Sequence, residues 1–122
     1  MSAAVLDTCA LLQWTTTAYH LPDDLESGEL LIAAISWCEI AWKHRLGKLP
    51  LPGGLDAWRR AVDELRLIEV AIDRDLFLQA VALDWGHRDP ADRVIVALAE
   101  REQLPIVTCD DTIRQRYDRC CW

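Results

Sequence analysis

No stretch of this chain approaches the roughly 18 consecutive apolar residues that a membrane span needs, and no basic segment followed by an apolar run opens it. Neither an anchor nor a secretory leader is expected. The five cysteines, at positions 9, 38, 109, 120 and 121, form no C-x-x-C pair and have no spacing to histidine that suits zinc. Their odd number and their scatter predict reduced thiols and a cytoplasmic protein. Internal repeats, low-complexity tracts and linkers are missing as well, so residues 1–122 read as a single domain, and 52% apolar residues suffice to fill its core. Positive charge is also scarce, with 13 Lys and Arg against 20 Asp and Glu and a net charge of −7. Phosphate binding normally leaves a cluster of basic residues. Here they concentrate only at Lys43, Arg45 and Lys48 and at Arg114, Arg116 and Arg119, while Asp23, Asp24, Glu26 and Glu29 form an acidic block. Solvated helix faces account for such runs equally well.

The hydrophobic pattern is that of alternating strands and helices. Ala3-Ala4-Val5-Leu6 is a short apolar run ending at Asp7, and Leu30 to Ile35 is a second ending at Ser36. Each reads as a strand buried on both faces. Leu67 to Val70 is a third candidate, Pro105 to Thr108 a fourth, and Cys120-Cys121-Trp122 a short edge strand. Helices are expected over Ser36–Leu46, Asp56–Leu65, Asp73–Trp85 and Pro90–Glu102, the last opened by an Asp-Pro start. This alternation predicts an α/β fold with a parallel sheet of four to five strands covered by helices on both faces.

Ligands of open parallel sheets bind beyond the carboxyl ends of the strands, and the residues there are acidic. Asp7 follows the first strand, Glu39 lies three residues past Ser36, and Asp110 with Asp111 follows the fourth; Asp92 joins them if its helix starts at the same edge. Carboxylates at helix N-termini are also ordinary caps. Ser36-Trp37-Cys38-Glu39 fits a capping box, and Asp89-Pro90-Ala91-Asp92 places Asp89 at the N-cap with Asp92 at N3. Four acids on one edge would nevertheless repel unless a cation or protons neutralised them. An all-oxygen ligand set selects magnesium or manganese, and with no histidine at ligand spacing, metal-activated water is the simplest nucleophile for a phosphodiester.

The ordered blocks Val5-Leu6-Asp7-Thr8, Ile35-Ser36 with Glu39 and Gly47-Lys48-Leu49, His87-Arg88-Asp89-Pro90-Ala91-Asp92-Arg93 running into Ile95-Val96-Ala97, and Ile106-Val107-Thr108-Cys109-Asp110 resemble the signature of VapC-type PIN domains, the toxins of type II toxin–antitoxin pairs. The likeness runs from about residue 4 to residue 114. It implies a three-layer α/β/α PIN-like fold, Mg2+- or Mn2+-dependent cleavage of a tRNA or rRNA loop, a homodimer, and neutralisation by a small VapB-like antitoxin. Carried over residue by residue, it makes Asp7, Glu39, Asp92 and Asp110 the acidic metal ligands, with Thr108 beside the last acid. Asp111 ranks below Asp110, and Asp89 matches a motif position that reads as a structural cap.

Other chemistries fit less well. A receiver-like signalling domain needs an Asp at the end of its third strand and a late lysine, yet no lysine follows Lys48. A haloacid-dehalogenase-type phosphatase needs Asp-x-Asp, whereas this chain has Asp7-Thr8-Cys9. Cys9 reads as an inert buried thiol, and Cys109 with Arg114 does not make a Cys-x5-Arg phosphate loop. A non-catalytic α/β binding module remains the alternative that sequence alone leaves open. His20, His44 and His87 are too scattered for a metal site, with His87 alone drawn in by the motif. The six tryptophans read as core or interface residues.

Overall fold

A computed structural model describes residues 2–122. Its elements run β1 (Ala3–Leu6), α1 (Thr8–Thr16), α2 (Asp23–Glu26), β2 (Glu29–Ala33), α3 (Ile35–Arg45), α4 (Gly54–Asp63), β3 (Ile68–Val70), α5 (Arg74–Ala82), α6 (Pro90–Glu102), β4 (Ile106–Val107), α7 (Asp111–Arg116) and β5 (Cys120–Cys121). The five strands form one parallel sheet in the order β3-β2-β1-β4-β5. Every crossover therefore carries helices, and the sheet is sandwiched as the alternation requires.

Because successive side chains of a strand point to opposite faces, β1 and β2 feed two cores. Val5, Leu31, Ala33 and Ile106 pack with α5, α6 and α7 on one side. Ala4, Leu6, Leu30, Ile32 and Val107 pack on the other with Leu11, Ile40, Trp58 and Val62 from α1, α3 and α4. α6 is the most deeply set helix: Ala91 and the run Val94 to Ala99 are all buried. Gly28 lets β2 start beside β1, since a Cβ there would fall 1.7 Å from the Ser2 carbonyl oxygen, which accepts the Glu29 N–H.

Three helices were not expected from the sequence. α1 begins directly behind β1, with Asp7 as its N-cap, and its end is held by Thr15, Thr16 and Thr17, whose hydroxyls donate to carbonyls one turn back. α2 and α7 are single short turns, opened by acids in their first turn. The second strand ends at Ala33 rather than Ile35, because Ala34 already turns the chain and α3 starts at Ile35. Ser36 is thus inside the helix and fully buried, and the expected capping box does not form. The α6 bounds and the short β5 edge agree with the sequence reading.

The expectation of reduced thiols fails at one pair. Cys9, in the first turn of α1, is bonded to Cys109, in the loop after β4, with their Cα atoms 6.6 Å apart. β1 and β4 are neighbours in the sheet, so residues just past their ends face each other despite a sequence separation of 100. Cys38, Cys120 and Cys121 are free. No helix among the described residues is long and apolar enough to cross a membrane.

Candidate active site

The strand order reverses at β1: the chain moves outward through β2 and β3, then returns to place β4 on the opposite side of β1. Crossovers leave this point in both directions, which opens a crevice between the carboxyl ends of the two strands. Asp7 stands at the end of β1 and Thr108 at the end of β4. A cleft of about 220 Å3 lies there, lined by Asp7, Thr8, Cys9, Glu39, Lys43, Asp92 and Asp110 among others. The four acids expected together from the sequence are brought together.

Asp7 is only 2% exposed. Its Oδ1 accepts the Ala10 N–H at 2.7 Å, which caps α1, and its Oδ2 accepts a short hydrogen bond from the Thr108 hydroxyl. The same Thr108 oxygen accepts the Asp110 N–H at 2.9 Å. Capping and site membership therefore coincide here instead of competing. Burial pushes the Asp7 carboxyl up to about 6, against the lowering effect of its hydrogen bonds to Thr108 and Ala10, and the nearby charges of Asp92 and Asp110 push the same way. Asp110 is the N-cap of α7, its Oδ1 accepting from Thr112 and Ile113.

Glu39 enters from the first turns of α3. One oxygen, Oε2, lies 3.5 Å from Lys43 Nζ one turn on. The other, Oε1, is buried with no hydrogen-bond partner in the protein. A buried oxygen left without a donor is costly, so its position among three further carboxylates fits a hard divalent cation. Thr8, which sequence reasoning missed, ties the floor of the cleft together: its hydroxyl donates to the Ser36 oxygen at 2.9 Å, linking the start of α1 to α3.

Asp92 sits at N3 of α6, and its Oδ2 lies 2.7 Å from His87 Nε2. Burial raises its carboxyl above the ordinary value, with the His87 hydrogen bond opposing and the charges of Asp89 and Asp110 adding to the rise. His87, the one histidine that the motif drew in, thus reaches the site through Asp92 without lining the cleft. His87, Asp89 and Asp92 each offer a ligand atom within 4.8 Å of the others. His20 and His44 stay away from the cleft, His44 lying instead beside the Leu49 carbonyl.

Asp89 behaves as the cap that the sequence suggested. Its side chain accepts the Ala91 N–H at 2.9 Å, with Pro90 at the first helical position. Asp89→Ala should therefore cost roughly 1 kcal/mol of stability in urea denaturation, and any activity of the cleft should fall only as far as α6 shifts. Loss of cleavage with an unchanged denaturation midpoint would remove Asp89 from the structural class. Asp111 is exposed at the start of α7 and does not line the cleft.

Residues 4–118 match the PIN domain family. This chain is a PIN domain. It is 30% identical to Ribonuclease VapC22 of Mycobacterium tuberculosis over 120 residues, a span that covers 93% of this chain and 92% of that protein. Among solved structures, a toxin–antitoxin complex from Klebsiella pneumoniae superposes with a TM-score of 0.70, covering 98% of this PIN domain and 96% of the matched chain at 18% identity. That second likeness is one of fold. The three-layer α/β/α arrangement expected from the sequence is the one this PIN domain has.

Proposed function

We propose that this PIN domain is a metal-dependent endoribonuclease toxin that cuts a tRNA or rRNA loop and is held in check by a small cognate antitoxin. The observation that carries the reading is the convergence of Asp7, Glu39, Asp92 and Asp110 on one cleft at the switch point of the sheet, with Glu39 Oε1 buried and unpartnered. The name of the Mycobacterium tuberculosis relative supports ribonuclease chemistry, and the fold shared with a toxin–antitoxin complex supports the antitoxin.

In this reading the four carboxylates hold Mg2+ or Mn2+. When bound, the ion would activate water for attack on the phosphodiester and offset charge on the phosphate. The chain's own contribution is to hold the acids still and to admit the backbone. Thr108 and the Ala10 N–H fix both oxygens of Asp7, and Asp110 is fixed as the cap of α7. Lys43 supplies positive charge at the cleft, where an acidic protein of net −7 most needs it to draw in RNA. Unpaired bases can reach such a site more readily than an RNA helix, whose major groove is deep and narrow.

Two exposed apolar faces support protein partners. Trp42 and Leu46, at the end of α3, are 57% and 60% exposed and suit an antitoxin segment. Phe77, Leu78 and Val81 crowd the outer face of α5, the last 76% exposed, and suit a homodimer.

The test is cleavage of looped RNA with and without metal. Activity should require Mg2+ or Mn2+, vanish on adding EDTA and return when the ion is restored. Undiminished cutting in chelator would overturn the proposal.

A further inference from the structure

Arg93 projects from the first turn of α6 and spends its whole guanidinium on backbone oxygens. Nε donates to the Ala80 carbonyl, one terminal nitrogen to those of Trp85 and His87, and the other to those of Val81 and Leu83, at 2.6 to 3.1 Å. These bonds use all five N–H donors of an arginine. Ala80 and Val81 belong to the last turn of α5, whose carbonyls have no partner within the helix, and the other three lie in the connection to α6. One side chain thus caps α5 and sets the path of residues 83–87.

That path delivers His87. Its ring packs against Trp85, with ring centroids 4.9 Å apart, while Nε2 meets Asp92 Oδ2 at 2.7 Å. Arg93 is itself next to Asp92 in sequence, so the clamp and the carboxylate it serves share one helical turn. A carboxylate that turns freely must be immobilised each time it takes a cation; one already held through Oδ2 has paid part of that ordering cost in advance.

Resting on the metal-dependent reading above, we propose that His87 is a positioning residue: it holds Asp92 in its metal-binding orientation, and the five-fold carbonyl clamp of Arg93 holds His87 in place. The imidazole acts through Asp92 and is not itself a ligand.

The test is Mn2+ binding to the metal-free protein, followed by electron paramagnetic resonance, alongside thermal melts in EDTA. His87→Ala should weaken Mn2+ binding by roughly tenfold or more while its melt in EDTA falls only by what the lost Trp85 contact and Asp92 hydrogen bond contribute, because Arg93 grips the backbone oxygen of residue 87 and not its ring. His87→Gln, which can offer an amide N–H to Asp92, should recover affinity. Arg93→Lys, with three donors on a point charge in place of a planar five-donor fork, should lower both affinity and melting temperature. Removing His87 on that background should then weaken binding less than it does in the native protein, since the two act in series. Unchanged Mn2+ affinity in His87→Ala would overturn the proposal, as would nitrogen couplings from an imidazole bound directly to the ion. So would Mn2+ affinity that merely follows the EDTA melting temperature across His87→Ala and His87→Gln. Failure of the native protein to bind Mn2+ at all would instead bring down the metal-dependent reading, and this inference with it.

Discussion

Asp7→Asn should lower RNA cleavage by roughly a thousandfold, about 4 kcal/mol of barrier, and at the same time make the metal-free protein more stable. The two effects have one cause. A carboxylate placed 2% exposed beside Asp92 and Asp110 is costly to keep charged in the metal-free fold, and in the proposed site a cation would offset that cost. Its folded pKa of about 6 lies above the unfolded value of 3.8. The folded state therefore binds the proton more tightly, and the stability this gives is complete below about pH 4 and lost as pH rises through about 6. The loss amounts to roughly 3 kcal/mol at neutral pH. The amide of Asn carries no charge to bury, so the variant should keep that stability, and its Oδ1 can still accept the Ala10 N–H. Urea denaturation of both proteins in EDTA from pH 4 to pH 8 would show the native curve falling away from the variant's between about 4 and 6. Added Mg2+ should raise the native midpoint and leave the variant's unmoved. A variant that cuts RNA normally, or one that unfolds more easily at pH 7, would show that Asp7 is a cap of α1 and nothing more.

Opening the bond between Cys9 and Cys109 should cost roughly 2–5 kcal/mol of stability, read as a lower urea midpoint in dithiothreitol. The bridge spans 100 residues of sequence, and closing so long a loop restricts the unfolded chain strongly. It also joins the first turn of α1, which Asp7 caps, to the loop between Thr108 and Asp110. The Cys9→Ala, Cys109→Ala double variant should match the reduced protein and ignore the reductant. Identical midpoints for the oxidised and reduced native protein would mean that the bridge contributes nothing to the fold.

The parts of this structure that a reader of the sequence finds are those where one local signal and the global pattern agree. α6 combines an Asp-Pro start with an apolar face from Val94 onward, and its bounds follow. The apolar run of β1 ends at Asp7 and that of β4 is followed three residues on by Asp110, which places both acids at one edge of the sheet. α1 is harder to see because its capping residue is also the end of a strand, and because Thr15 and Thr16 are residues that usually favour other conformations. Ser36 and Glu39 mimic a capping box, but tertiary packing starts α3 earlier and turns Ser36 inward to Thr8. His87 and Asp92 are five residues apart across a loop-to-helix boundary, a spacing that carries no periodic signal; only the Arg93 clamp makes it meaningful. The pairing of Cys9 with Cys109 was hidden by an odd cysteine count and by the length of chain between them.

The parallel pairing of β1 with β4 also bears on how the protein is made. Asp7 is translated well before the hydroxyl that holds it, which belongs to Thr108, 101 positions later. Until β4 has left the ribosome and docked against β1, the nascent chain can display Asp7, Glu39 and Asp92, yet it lacks both the hydrogen bond that orders Asp7 and the fourth acid, Asp110. Until that docking the chain lacks one of the four acids of the proposed site, so the site is completed only once the segment that carries β4 has been made and has paired with β1.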